Sequence, residues 1–428
     1  MLNKKIIVRK LFRVSKFFLL GSIIIFSFYS QSISNIFLLS SAMEPYPDEN
    51  PEPVVQTNDI AVQTHITSNS ITTNDNLHLS NSQDTRPFAQ SNLVSKNNDR
   101  SPSYIGHAPI SIDGDADFLA QNASDPFCWT GDGTLATPYV IEDLNITTSS
   151  IDACIAITNI QNIHFTIRDC WLDGNDLGGY AIDLSDIATQ TIIADNIIQN
   201  ATNFYIKVWD SSGFIISNNS LLNLDDSHAI NTGILIHNGT VNGAFIRIHD
   251  NNFYATGNAG DAITLFDCNN NTIVNNNITG SDTASYDCGI HLFNSNNTKI
   301  EKNRLNKTYE GIWAESPSYN ITIQANFIQD TTKGINFEYM RGICSVWGNT
   351  VNNSAQEGMI IGTSSQIKVL DFRDNLISNC AKGFITRGSN HTIWNNTLLN
   401  NDYGIYLDTN ADNVTIWANR FLSSTNSH

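Results

Sequence analysis

Proline and positive charge are both in short supply: 10 prolines, and 23 Lys+Arg against 41 Asp+Glu, in 428 residues. A chain this poor in basic residues has no face to offer a phosphate backbone, which excludes nucleic-acid binding. Seven cysteines, an odd number with no Cys-x-x-Cys spacing, supply neither a zinc site nor a dense disulfide framework. Charged residues amount to only 15%, yet hydrophobic residues reach 41%, enough for a core, so wholesale disorder is excluded too. What the chain has in excess is asparagine, 56 residues of it.

Six basic residues, Lys4, Lys5, Arg9, Lys10, Arg13 and Lys16, precede an uncharged run over 17–42 that ends in Ser40-Ser41-Ala42. This pattern predicts export, with 1–42 either a cleaved signal peptide or a membrane anchor. Beyond it, 17 basic residues face 41 acidic ones, a balance suited to an exposed, soluble, calcium-compatible surface. Residues 43–104 are rich in Ser, Thr, Asn and Gln without an apolar period, and are expected to form a disordered polar linker.

The remainder is periodic. An apolar residue, Asn three positions later and an apolar residue two further on recur around Asn196, Asn219, Asn251, Asn276, Asn303, Asn326, Asn349, Asn375, Asn396 and Asn419. Two earlier copies carry Cys170 and Leu144 in place of Asn, and the spacings average 25 residues. Between them lies a second strand signal, as in Gly233-Ile234-Leu235-Ile236, Gly289-Ile290-His291-Leu292 and Gly311-Ile312-Trp313-Ala314. Short alternating strands at a fixed period, with no helical pattern between them, predict one coil of a parallel β-solenoid per repeat. The recurrent Asn gains a mechanical reason: an amide both donates and accepts, so side chains stacked at the strand spacing hydrogen-bond along a ladder. About 12 coils give a rod of about 55 to 60 Å.

These repeats resemble the right-handed parallel β-helix repeat family, which includes pectate-lyase-like and polygalacturonase-like enzymes, carbohydrate-binding and sugar-hydrolase modules, and NosD-like copper-accessory proteins. The resemblance runs from about Asp113 to Leu422 and takes in Gly131–Leu144, which is similar to the segment before the first coil of NosD-like proteins. It implies an all-β, single-stranded right-handed parallel β-helix over 141–422, with 105–140 as a lead-in or cap and 423–428 as a tail. It is specific for fold and weak for function.

Coil length singles out one edge. The stretches from Asn219 to Gly233, Asn251 to Ala262 and Asn276 to Gly289 exceed those of later coils, and such insertions tend to wall a binding face. They carry Asp225, Asp226, His228, Asp261, Asp282 and Asp287. Beside them, Trp209, His237, Thr264, Phe266, His291, Phe293, Trp313, Glu315, Asn336 and Glu338 are expected to point outward. Carboxylates beside flat apolar rings suit saccharide binding and glycoside cleavage. For cleavage the candidate acid and base are Asp225, Asp226, Asp261 and Asp287, with His291 as another proton carrier. The substrate-binding candidates are Trp209, His237, Phe266, Phe293, Trp313 and Glu315. Asp225-Asp226 resembles the paired aspartates of polygalacturonases, and Arg247-Ile248-His249 their Arg-Ile-Lys. The Asn-x-Asp and Gly-His-Gly elements are absent, which argues against that chemistry.

Two further stripes align by coil. Glu310, Lys333, Glu357 and Lys382 alternate in sign, as expected of a structural ion-pair ladder. Trp347, Arg373, Trp394 and Trp417 are expected to stack as a cation–π column, stabilising or sugar-binding. The histidines of the folded part share no coil position, which disfavours copper; no metal ligands are assigned, and calcium on the loop aspartates is the cofactor left open. Cys128 and Cys154 lie one coil apart, so a disulfide between them is conceivable. Fourteen Asn-x-Ser/Thr triplets indicate a glycoprotein only weakly, because Asn-rich turns generate them. No capping helix follows Leu422, which predicts fraying of the last coil or end-to-end self-association.

The resulting expectation is an exported cell-surface β-helix that binds polysaccharide or glycan through the coils between 219 and 293, with catalysis left open. The membrane is a partner only through an uncleaved 17–42. The competing readings are a non-catalytic structural or adhesive envelope rod and a NosD-like periplasmic copper accessory protein.

Overall fold

In a computed structural model of the chain, the described residues are 104–423 without 126–128, 149–151, 177–178, 225–231, 238–244, 256–258, 281–286, 316, 339, 341 and 363–366. The expected leader, linker and tail therefore lie outside the described residues, apart from Tyr104 and Ser423.

The fold is a right-handed parallel β-solenoid with three faces. Sheet A has 13 strands, from Ile105–His107 to Arg420–Leu422. Sheet B has 12, from Ile110–Asp113 to Tyr403–Leu407, and sheet C 12, from Tyr139–Glu142 to Thr415–Trp417. Each coil runs from C through a tight corner to A and then to B, and each strand pairs in parallel with its equivalent one coil away. The recurrent motif is that first corner: its leading apolar residue is inward on C, its Asn turns the chain, and its trailing apolar residue is inward on A. In one coil these are Ile300, Asn303 and Leu305, all 0–1% exposed.

The Asn side chain closes the corner of the coil before it. Asn276 donates both its backbone N–H and its Nδ2 to Asn303 Oδ1 at 2.9 and 3.0 Å. Asn303 Nδ2 donates in turn to the Ile273 carbonyl at 2.9 Å. The pattern repeats from Asn196 to Asn419, and Cys170 enters it through its N–H on Asn196 Oδ1. Corner amides that a turn would leave buried without partners are thus satisfied by side chains stacked in one column.

Asparagine has a second use that the repeat alone did not reveal. The residue just before each ladder position holds a left-handed backbone, with φ of 59° at Asp195, 55° at Asn218, 58° at Asp250, 57° at Asn275 and 56° at Asp374. Asn and Asp tolerate this region better than other side chains, so the corners absorb much of the Asn and Asp content. Elsewhere in the coil, glycines permit close stacking: a methyl group on Gly311 would lie 2.5 Å from the Gly334 carbonyl oxygen.

The lead-in segment is already part of the solenoid. Ile105–His107 and Ile110–Asp113 pair with the next strands of sheets A and B, so the first coil starts before residue 141. The helix Asp115–Ser124 then lays Phe118 over the core, with ring centroids 5.2 Å from Trp129, 5.5 Å from Tyr139 and 5.6 Å from Phe165. Cys154 is a free, buried thiol within 3.5 Å of the Asp173 carbonyl; Cys128 is outside the described residues.

Both outer stripes form as stacks. Lys333 Nζ reaches Glu310 Oε1 at 2.6 Å and Lys382 Nζ reaches Glu357 Oε1 at 3.3 Å. Arg373 sits over Trp347 and Trp394 at 5.1 and 5.9 Å, and Trp394 stacks on Trp417 at 4.8 Å.

Two predictions follow from the interior. Asn303→Ala removes the acceptor of the Asn276 N–H, while the Asn276 amide keeps the Ile248 and Val274 carbonyls at 3.0 and 3.2 Å; at about 1–3 kcal/mol for a buried orphan, thermal melting should show a loss of at least about 1 kcal/mol. His391 is 1% exposed, its ring nitrogens have no hydrogen-bond partner among the described residues, and burial depresses its pKa from 6.5 to about 4. The unfolded chain therefore takes up the proton first, so stability should fall as pH drops from about 6.5 towards 4. His391→Leu should flatten that limb of a melting-temperature profile.

Candidate functional site

The outer face of sheet B carries two parallel columns, because residues two apart on a strand share a face. One column runs Lys207, Leu235, Thr264, His291, Trp313, Asn336 on successive coils. The other runs Trp209, His237, Phe266, Phe293, Glu315, Glu338 in the same register. Every outward residue expected on these strands is therefore on one face. Asp225, Asp226, His228 and Asp282 lie outside the described residues.

The aromatic side chains behave differently from the expectation. Trp209 stacks on His237 at 3.9 Å, His237 on Phe266 at 4.8 Å and Phe266 on Phe293 at 4.5 Å, with interplanar angles of 7–19°. Rings at the strand spacing cover one another's faces, so the column presents mainly ring edges to solvent. Open flat faces for sugar rings are thus confined to its ends, where Trp209 remains 37% exposed. The Lys207 ammonium lies 5.6 Å from that ring and pairs with Asp183 at 3.0 Å.

At the other end polar groups converge. His291 is clamped between two carboxylates, with Nδ1 2.8 Å from Asp261 Oδ2 and Nε2 3.1 Å from Glu315 Oε1. Its ring stacks on Trp313 at 4.5 Å and 4°. Thr264 Oγ1 donates to the same Asp261 oxygen at 2.8 Å. Burial alone would lower the His291 pKa, but hydrogen bonds and charge from Asp261, then from Glu315, outweigh it and raise the pKa above its ordinary value. With a carboxylate on each nitrogen, the imidazolium is the form that donates on both sides.

Asp287 sits at the corner just before this strand. Its carboxyl reaches solvent, yet the protein packed around it and the Asp261 charge both raise its pKa. One rim therefore holds a carboxyl biased towards its protonated form beside another engaged with an imidazolium, the kind of inequality an acid and a base require. Two coils beyond His291, Asn336 is 1% exposed although it points outward. Its Nδ2 donates to Glu310 at 3.0 Å and Glu338 at 3.4 Å.

The connections that lead into this face from sheet A are long at 225–231, 256–262 and 280–287, as at 148–154 near the first coil, against 307–309, 330–332 and 400–402 in later coils. Asp261 and Asp287 belong to two of them. The sequence located these residues; it did not reveal that Asp261, His291 and Glu315 form one hydrogen-bonded chain across three coils. Coil register could have placed His291 beside Trp313 but gives no measure of side-chain reach.

Comparison with known proteins places the repeats in context. The model of the family described as periplasmic copper-binding protein (NosD) matches residues 127–289 and 277–428. No curated protein matches the chain. Among solved structures, a tailspike protein mutant of E. coli bacteriophage HK620 in complex with pentasaccharide is 12% identical, with 67% of this chain and 59% of that chain covered and a TM-score of 0.48. A hyperthermoactive exopolygalacturonase from Thermotoga maritima is 10% identical over 69% of this chain and 74% of its own, with a TM-score of 0.39. The GH136 lacto-N-biosidase of Eubacterium ramulus is 10% identical over 68% and 54%, with a TM-score of 0.32. The chain thus spans 59% of the tailspike's length and 54% of the biosidase's.

The His291 clamp makes a prediction of opposite sign to that for His391. A raised folded pKa gives stability that is complete below about pH 6.5 and is lost as pH rises through the folded value. His291→Gln should remove this alkaline decline from a melting-temperature profile while leaving the acid limb due to His391 in place.

Proposed function

The chain belongs to the family described as periplasmic copper-binding protein (NosD), and from that premise we propose that it is an exported β-helix protein binding polysaccharide or glycan through the outer face of sheet B. The observation that carries the reading is the meeting, on one face and over successive coils, of the Trp209-to-Phe293 ring column with the Asp261–His291–Glu315 chain. Ring edges, one open tryptophan face and a row of charged acceptors match a ligand that is apolar on its C–H faces and rich in hydroxyl donors. Export is supported by the basic-then-apolar leader and by the periplasmic description of the family.

Copper fits less well. Among the described residues no group of three or more His, Cys, Asp or Glu side chains is placed to hold a metal ion. The thiols there are buried, and burial pushes those of Cys154, Cys170 and Cys268 up to about 12 and those of Cys344 and Cys380 up to about 11, away from the thiolate that binds copper.

A cleavage reading draws on one further observation, the raised pKa of Asp287 next to Asp261. Asp287 would give its proton to the leaving glycosidic oxygen while a water, losing its proton to Asp261, attacks the anomeric carbon.

The test is a polysaccharide and glycan array with the exported chain, with and without calcium, followed by product analysis of each hit. Asp261→Ala and Trp209→Ala should each weaken binding at least tenfold, about 1.4 kcal/mol. Reducing sugars released by the parent chain and not by Asp287→Asn would add catalysis. Failure to bind any saccharide would leave the structural or adhesive rod as the better account.

A further inference from the structure

The outer face of sheet B holds few positive charges, and each of them is already engaged. Lys207, Lys333 and Lys382 are the only basic side chains, histidine apart, on the strands of that sheet. Lys207 pairs with Asp183 at 3.0 Å, Lys333 with Glu310 at 2.6 Å and Lys382 with Glu357 at 3.3 Å. His291 as an imidazolium spends one N–H on Asp261 and the other on Glu315. The connections 225–231, 256–262 and 280–287 contain no Lys or Arg.

Carboxylates are in excess over the same coils. From Ile263–Phe266 to Lys333–Glu338, sheet B and the corners beside it carry Asp261, Asp267, Asp287, Glu310, Glu315 and Glu338. Lys333 and His291 offset two of these charges, and Asp287 is biased towards its protonated form. Glu338 lies opposite Glu315 in the register, and among the described residues no Lys, Arg or His pairs with it. Like charges opposed across neighbouring strands repel. Asn336, 1% exposed, turns its Nδ2 towards Glu310 at 3.0 Å and Glu338 at 3.4 Å, and so holds two of the carboxylates together against their own repulsion.

We propose that the saccharide taken by this face carries no anionic group: it is a glycan of hydroxyl-bearing sugars, and not a polyuronate or a sulfated chain. The inference rests on the saccharide reading given above and narrows it. Ionised carboxylates accept hydrogen bonds and cannot donate them, so sugar hydroxyls, which donate, are their natural partners. A sugar carboxylate needs the opposite, a guanidinium or ammonium free to hold it. On this face it would have to draw Lys333 away from Glu310 or His291 away from Asp261, and would then lie beside Glu315 and Glu338. Juxtaposed like charges are a means of rejecting the wrong ligand.

Matched polymers separate charge from shape. Binding of the full chain is measured to mannan, laminarin and fully methyl-esterified polygalacturonate, which are neutral, and to polygalacturonate and alginate, which are not. Each is tested at low salt and again at about 1 M, where the screening length falls to about 3 Å. At least one neutral polymer should bind with an affinity that salt leaves unmoved. The acidic polymers should bind at least about tenfold more weakly at low salt and recover part of that deficit at high salt. Glu338→Lys should raise the affinity for polygalacturonate relative to the neutral polymer at least about tenfold; Asp412→Lys, the same change of charge at an exposed residue outside sheet B, should not. An acidic polymer bound as tightly as the neutral ones, or bound alone, would overturn the inference and leave the saccharide reading standing. Equal effects of the two lysine variants would overturn it too, by tracing the discrimination to net charge. Binding to no polymer of either kind would remove the saccharide reading and this inference with it.

Discussion

The structure depends on one repeated act, the reach of a buried asparagine amide from each coil to the corner of the coil before it. A solenoid must turn its chain sharply at every coil while keeping the turn dry, and each turn exposes an N–H and a carbonyl that the sheets do not satisfy. Asn303 answers both needs for the preceding corner, accepting from Asn276 and donating to Ile273. Because its neighbours do the same, the corner is copied at a constant pitch. That pitch keeps the outward columns in register and so brings His291, from one coil, between Asp261 and Glu315 from the coils on either side.

The same pitch limits what the outer face can offer. Aromatic residues in one column fall naturally into face-to-face stacks, as from Trp209 to Phe293 and from Trp394 to Trp417. Such stacks stiffen the sheet and consume the surfaces that a sugar would otherwise use. Chemical diversity on this fold therefore comes from where columns change character, at Glu315 after Phe293 and at His291 after Thr264.

Much of this was legible in the residues. The Ile300-x-x-Asn303-x-Leu305 pattern contains the sheet C strand, the corner and the sheet A strand, and the Gly311-Ile312-Trp313 pattern marks sheet B; spacing alone indicates two strand signals per coil, and the structure divides the first of them into two strands at the Asn corner. The early start of the first coil was not legible, since Ile105–His107 and Ile110–Asp113 lack the repeat's Asn and are separated from it by a helix. For the site, alternation told which side chains face out. It could not tell that Phe266 and Phe293 would hide each other's faces or that Asp261 would bend towards His291, because both depend on side-chain torsions rather than on period.

The two roles of asparagine imply that the protein ages unevenly. Loss of ammonia turns an Asn into an Asp, and the left-handed corner positions already carry Asp at 195, 250 and 374, so the change at Asn218 or Asn275 keeps a residue that the backbone accepts. At Asn276 or Asn303 the same chemistry would delete a donor and place a negative charge inside a dry column of amides. Slow chemical damage is thus benign on the outside of each corner and destructive one residue further in, where tight bonding holds the side chain still.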